Sequence, residues 1–240
     1  IIGTEYERHH FVPRAKSQKK ILRATLDKRV THYSFLPTEG GKFVGDVDLH
    51  FDADRLLFSS HRDMNELSEA PGRGKGYAVF ELGIDPRTGE LIGGPRPVSP
   101  DMGRDVDCYD ACYLPDGRII IASTANYEGV PCVGGGSYVA NLYRMNNDGS
   151  DVRRITYDQD ASWHPAVMEN GRVLYTRWEY TDSAHYYARV LMSMNPDGTD
   201  QKGFYGSNSY WPNSMFFARQ VPGNPDMFVA TITGHHSNAK

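Results

Sequence analysis

Residues 142–151 read LYRMNNDGSD, and residues 191–200 read LMSMNPDGTD. Leu, Met, Asn, Asp, Gly and Asp recur in the same places at an offset of 49 residues. Working outward, residues 114–121 (LPDGRIII) answer to residues 168–175 (MENGRVLY) at an offset of 54. Ahead of them, Asp105-Val106-Asp107 answers to Asp158-Gln159-Asp160 at an offset of 53. An earlier copy opens with Gly45-Asp46-Val47-Asp48, and a fourth with Ser207-Asn208-Ser209-Tyr210-Trp211-Pro212. Recurrence every ~50 residues is the sequence signature of propeller blades.

The turn chemistry agrees. Pro115-Asp116-Gly117 and Glu169-Asn170-Gly171 separate the first two β-rich runs of a repeat, and Asp148-Gly149 and Asp197-Gly198 separate the last two. Asp-Gly and Asn-Gly supply the positive φ that tight hairpins need. The flanking runs 118–123, 172–176, 141–145 and 190–194 are aliphatic, β-branched or aromatic, as strands require. The predicted fold is therefore an all-β propeller, six to eight blades when complete, with about four blade starts in this chain. The repeats begin near residues 44, 105, 158 and 207, so residues 44–240 form a partial propeller and residues 1–43 a leader. Within that leader, 16–26 is expected to be a short helix or an extended basic segment. A closed ring needs more blades than four, so the remaining blades or further domains of a longer polypeptide are expected partners.

Composition narrows the function. Lysine and arginine total 26 against 30 acidic residues, a net charge of −4. A chain with no basic excess is poorly suited to tracking phosphates, which argues against nucleic acid. No apolar run approaches the ~18 residues of a membrane span, so no membrane insertion is expected. Fifteen Tyr, ten Phe and three Trp are too much aromatic surface for a disordered chain. The chain opens Ile1-Ile2-Gly3-Thr4 without Met or signal peptide, and its natural start is expected upstream. Three cysteines are too few for a disulfide scaffold. Cys108 and Cys112 lie too far along one strand to pair with each other, which leaves Cys132 reaching Cys108 or three buried thiols.

Strand order assigns the faces. The turns between strands A and B and between C and D share one face and are short. The B–C loops, 61–76, 125–138 and 179–186, share the other face and are long. Elaboration on one face marks where function is carried. Counting back from the A–B turns puts Asp110 and His164 at equivalent positions, with Trp211 nearby and Asp48 joining if the first repeat is aligned on its turn. The ends of the B strands add His61 and Arg62, Asn126, Arg177 and Trp178, and His235 and His236. Two chemistries suit this set. Asp48, Asp110 and His164 are the hard-to-borderline ligands of a divalent metal. Alternatively, Arg neutralises a substrate carboxylate while His or Tyr removes an acidified carbon-bound proton. Trp163, Trp178 and Trp211 recur near blade entrances, which favours packing between blades for at least one of them. Gly134-Gly135-Gly136 does not match a phosphate-binding fingerprint.

The strings DVDCYDACYLPDGRIIIASTANYEGVPCV, NLYRMNNDGSD, TYDQDASWHPAVMENGRVLYTRWEYTDSAHYY and GSNSYWPNSMFFARQVPGNPDMFVATITGHH resemble the middle domain of the hydrazine synthase alpha subunit, over residues 44–236. That resemblance implies a propeller lying between haem-bearing domains. This chain carries no Cys-x-x-Cys-His, so it implies no c-type haem here and no hydrazine chemistry. A looser, architectural resemblance is to propeller polysaccharide lyases, some acting on glucuronate next to rhamnose. It implies His61, His164, His235 or His236 as base, Arg62 or Arg177 facing the carboxylate, and Tyr127 or Tyr180 as acid. Trp178, Trp211, Asn126 and Tyr127 would contact the glycan. The expectation is a uronate lyase acting outside the cytoplasm, extracellular or periplasmic. The rivals are a propeller that binds glycan or a partner domain without turnover, and a redox scaffold with its haem elsewhere.

Overall fold

The fold is described from a computed structural model over residues 21–24, 30–33, 44–63, 76–131, 134–180, 188–206, 212 and 214–233. A short hairpin, β1 (Ile21–Ala24) with β2 (Val30–Tyr33), precedes the repeats. Residues 21–24 are thus a strand rather than part of a helix.

Three four-stranded antiparallel blades follow. The first runs β3 (Val44–Leu49), β4 (Arg55–His61), β5 (Tyr77–Ile84), β6 (Leu91–Pro97), and the second β7 (Cys108–Tyr113), β8 (Arg118–Ser123), β9 (Asn141–Asn146), β10 (Arg153–Arg154). The third is β11 (Ser162–Val167), β12 (Val173–Glu179), β13 (Ala188–Met194), β14 (Lys202–Tyr205). Two strands of a fourth, β15 (Ser214–Val221) and β16 (Asn224–Thr233), attach to the third through a single parallel bridge, Arg189 to Ser214.

Period-2 alternation explains the stacking. On β8, Ile119 and Ile121 pack toward the first blade with Leu57, Val79 and Tyr113. Ile120 and Ala122 turn the other way, joining Trp163, Val173, Tyr175 and Trp178 of the third blade. On β12, Val173 and Tyr175 face back, and Leu174 faces forward onto Met215 and Ala218 of β15. Each central strand is apolar on both faces because each face meets a neighbouring blade. Burying one such aliphatic side chain contributes ~1.5–3 kcal/mol.

The repeated Asp-Gly-Ser/Thr-Asp joins strands C and D and also holds adjacent blades together. Asp148 Oδ1 accepts from Ser150 N and Oγ at 2.9 and 2.6 Å. Asp197 Oδ1 takes the matching pair from Thr199 at 3.0 and 2.7 Å. Asp151 and Asp200 both turn left-handed at φ 51°. Gly149 and Gly198 are required twice over. Their φ values are +81° and +87°, and a Cβ would lie 2.8 Å from Val98 O or 2.7 Å from Ile155 Cβ on the preceding blade.

Candidate functional site

Every A–B strand pair carries a register shift at the same point, between Gly45 and Asp48, Tyr109 and Cys112, Trp163 and Ala166, and Phe216 and Arg219. The first residue within each shift is left-handed: Asp46 (φ 54°), Asp110 (51°), His164 (55°) and Phe217 (51°). Asp and His are the side chains that, after Gly and Asn, best tolerate that region, which accounts for three of the four. The equivalence of Asp110 and His164 read from the repeats therefore holds. In the first blade the equivalent residue is Asp46, not Asp48, and in the fourth it is Phe217. Trp211 lies outside the described residues, as do His235, His236 and Cys132.

The four bulges form a chain of contacts. The N–H of Asp110 reaches Ser59 Oγ at 3.0 Å and the Asp46 carboxylate. The N–H of His164 donates to Asp110 Oδ2 through a short hydrogen bond. The His164 ring lies 4.1 Å from the ring of Phe217, centroid to centroid, with its Nδ1 facing Thr176 Oγ1 at 3.4 Å. Two residues beyond the first and last bulges, Asp48 takes the N–H of Tyr113 at 3.0 Å and faces Arg219 at 3.7 Å. Arg219 also donates to Pro165 O at 2.9 Å. This guanidinium spans from the fourth blade to the first. The sequence reading missed both Asp46 and Arg219.

Burial sets the charges. It pushes Asp46 up to about 6, and raises Asp110 well above the carboxylate range, with repulsion from Asp46 adding to the effect. Burial raises Asp48 as well, opposed by Arg219 and the Tyr113 N–H. His164 is pushed far below its ordinary value by burial and by Arg219, and is neutral. The donor atoms of Asp48, Asp110 and His164 do not converge to within 4.8 Å of one another, and a guanidinium lies among them. The described residues that do converge, His50, Asp52 and Asp54, sit on the opposite face at the β3–β4 turn. There Arg55 already meets His50 Nε2 at 2.5 Å and Asp54 at 2.9 and 3.0 Å.

On the elaborated face the expected residues divide. Arg62 is paired with Asp101 at 2.5 Å, and Arg177 with Asp158 at 3.3 Å and Glu179 at 2.5 Å. Both guanidinium groups are paired with carboxylates of the loop-bearing face. His61 Nδ1 faces the Asp63 backbone at 2.9 and 3.1 Å. Trp178 is 1% exposed, stacked on Trp163 at 6.1 Å with Arg189 4.7 Å above its ring. It seals the third blade to its neighbours and offers no face to a sugar. Tyr180 donates its N–H to Asp160 Oδ2 at 3.2 Å and stands edge-on to Trp178. Asp160 is buried with no hydrogen-bond partner at Oδ1, and its carboxyl is pushed up to about 6.

The second blade differs. Asn126 Nδ2 donates to Asn141 Oδ1 at 2.8 Å, and Arg154 donates to the same oxygen through a short hydrogen bond. Arg154 also reaches Glu128 Oε1 at 3.3 Å and lies 4.8 Å over the ring of Tyr157. Tyr157, 72% exposed, donates its hydroxyl to Arg154 O at 3.0 Å. Tyr127, 59% exposed, is held left-handed at φ 56° by its N–H bond to Thr124 O at 3.0 Å. Two tyrosine rings thus stand in solvent beside a lattice of amide, carboxylate and guanidinium. Asn126 and Tyr127 were legible as candidates. Glu128, Arg154 and Tyr157 were not, because the D–A connection that carries Tyr157 has no motif.

Searches for known relatives place the architecture. No protein-family model matches the sequence, and no curated protein matches it. Among solved structures, hydrazine synthase of Kuenenia stuttgartiensis superposes with a TM-score of 0.67 at 14% identity, over 95% of this chain and 33% of that one. The fold is a β-propeller. A puromycin hydrolase superposes with a TM-score of 0.52 at 15% identity, over 88% of this chain and 28% of that one. An oligogalacturonate lyase in complex with manganese gives 0.46 at 14% identity, over 77% of this chain and 47% of that one. The chain spans about a third of the hydrazine synthase chain. At these identities the likeness is one of fold, and one propeller serves unlike activities.

Proposed function

We propose that this chain is a carbohydrate-recognising propeller that binds a glycan on the loop-bearing face of its second blade. The observation that carries this reading is Tyr127. A bulky side chain at positive φ is a backbone outlier, and such strain persists where a particular side-chain position is needed. Here it sets an aromatic ring, 59% exposed, beside Asn126 and Glu128. Aromatic rings take the C–H faces of sugar rings, while amide, carboxylate and guanidinium groups take the hydroxyls. Tyr157 and Arg154 extend the same surface.

Binding without turnover accounts for the described residues better than elimination does. A uronate lyase needs an Arg open to the substrate and a base beside it. Arg62 and Arg177 are engaged by Asp101, Asp158 and Glu179, and His164 is enclosed beneath the loops. The expected setting is extracellular or periplasmic, with the domain embedded in a longer polypeptide. Calorimetric titration with a glucuronate-containing and a neutral oligosaccharide tests the reading, alongside absorbance of unsaturated product. Saturable binding lost in Tyr127→Ala, with no product formed, is expected. Product accumulation abolished by His236→Ala would replace binding by elimination.

A further inference from the structure

Among the described residues of the loop-bearing face, Arg62, Arg154 and Arg177 are each paired with a carboxylate, and not alike. Arg62 meets Asp101 at 2.5 Å, and Arg177 meets Glu179 at 2.5 Å. Arg154 and Glu128 are looser. Nη1 and Nη2 of Arg154 share a single oxygen, Glu128 Oε1, at 3.3 Å each. The Glu128 side chain is 44% exposed, so this pair contributes little.

The guanidinium does not depend on Glu128 for its position. Its Nε donates to Thr156 O at 2.8 Å, and its Nη2 donates to Asn141 Oδ1 through a short hydrogen bond. Asn141 is fully buried and fixed in turn, with Nδ2 donating to Asp158 O and Asp160 O at 3.4 and 3.5 Å. The Tyr157 ring covers one face of the guanidinium at 4.8 Å, and the Tyr157 hydroxyl is tied back to Arg154 O at 3.0 Å. The Nη1–Nη2 edge is what points to Glu128. It is a planar fork that matches two carboxylate oxygens, and Glu128 brings it one.

We propose that this edge of Arg154 is a carboxylate subsite, that Glu128 is its resident occupant, and that an acidic sugar takes the fork by displacing Glu128. The subsite rests on glycan recognition at the second blade and adds the class of glycan, one that carries a uronate. The incoming carboxylate makes two parallel charge-assisted hydrogen bonds where Glu128 shares one oxygen, and the Glu128 carboxylate moves into solvent. A neutral sugar carries no group that replaces Glu128 and meets the aromatic rings alone. The resident Glu128 therefore discriminates against neutral glycan.

Calorimetric titration of the 240-residue chain with a glucuronate-containing oligosaccharide and with its carboxyl-reduced counterpart tests the exchange. The acidic sugar should bind ~10-fold tighter or more. Glu128→Gln should raise its affinity ~3–10-fold and leave the reduced sugar unmoved. Glu128→Asp keeps the charge but loses the reach, and should raise the affinity in the same direction. Arg154→Gln, checked for folding by thermal unfolding, should abolish the preference. Equal affinity of the wild type for both sugars overturns the inference and leaves recognition by Tyr127 standing, as does Glu128→Gln that fails to tighten the acidic sugar. A gain in Glu128→Gln without one in Glu128→Asp reports net charge alone and also overturns it. An oligoglutamate peptide that binds as tightly as the acidic sugar reassigns the fork to acidic peptides. Binding of neither sugar overturns both readings.

Discussion

The channel-lining strands and the loops of the second blade are both polar, and they use polarity in opposite ways. Along the channel, Asp46, Asp110, His164 and Arg219 spend their hydrogen-bonding capacity on backbone groups and on one another. On the loops, Tyr127 and Tyr157 leave their rings in water beside Arg154 and Asn126. Both regions hold left-handed non-glycine residues. In the channel that strain builds a bulge repeated in all four blades; at Tyr127 it builds nothing that repeats. Recurrence marks the scaffold, and departure from recurrence marks the candidate site.

The largest effect that would separate the two regions comes from Trp178. Trp178→Ala empties the contact between Trp163 and Arg189 and should cost ~3–5 kcal/mol in denaturant unfolding. Glycan affinity of the folded fraction should stay at the wild-type value. A variant of normal stability that cannot bind would return Trp178 to the site. Next, Asp110→Ala removes the acceptor of the His164 N–H and places Ala at positive φ. A loss of ~2–3 kcal/mol is expected, with binding again unmoved.

A smaller effect concerns pH. The Asp46 carboxyl is raised from 3.8 to about 6, so its contribution to stability is complete below the unfolded value and is lost as pH rises through the folded one. Asp160 behaves likewise. The turn residues Asp148 and Asp197 run the other way. Ser150 and Thr199 hold their carboxyls low, and that contribution is lost as pH falls below the ordinary carboxylate value. Urea midpoints should therefore decline from about pH 4 to about pH 7, and Asp46→Asn should flatten that decline. A rise over the same window in the wild type would contradict the buried-pair assignment.

The repeats and hairpin turns were legible because Asp-Gly and Asn-Gly act over two or three residues. The equivalence of Asp110 and His164 followed from them. The first repeat could be aligned on its turn or on its Asp-x-Asp, and neither alignment picks out Asp46, since its β3–β4 turn lacks an Asp-Gly and a bulge shifts the count. Arg219 was not legible: its partner Asp48 belongs to the first blade, and no local pattern announces a contact across a channel. For Trp178 the sequence left both a glycan contact and packing between blades open. It is buried against Trp163, with the Arg189 guanidinium over its ring.

Tyr127→Gly tests the central claim most directly. Glycine relieves the positive φ and removes the ring in one step, so stability and recognition should move apart. Thermal unfolding should be unchanged or raised, by up to ~1 kcal/mol. Affinity for the glucuronate-containing oligosaccharide should fall ~10-fold or more. Wild-type affinity in a stable Tyr127→Gly variant would contradict recognition at the second blade.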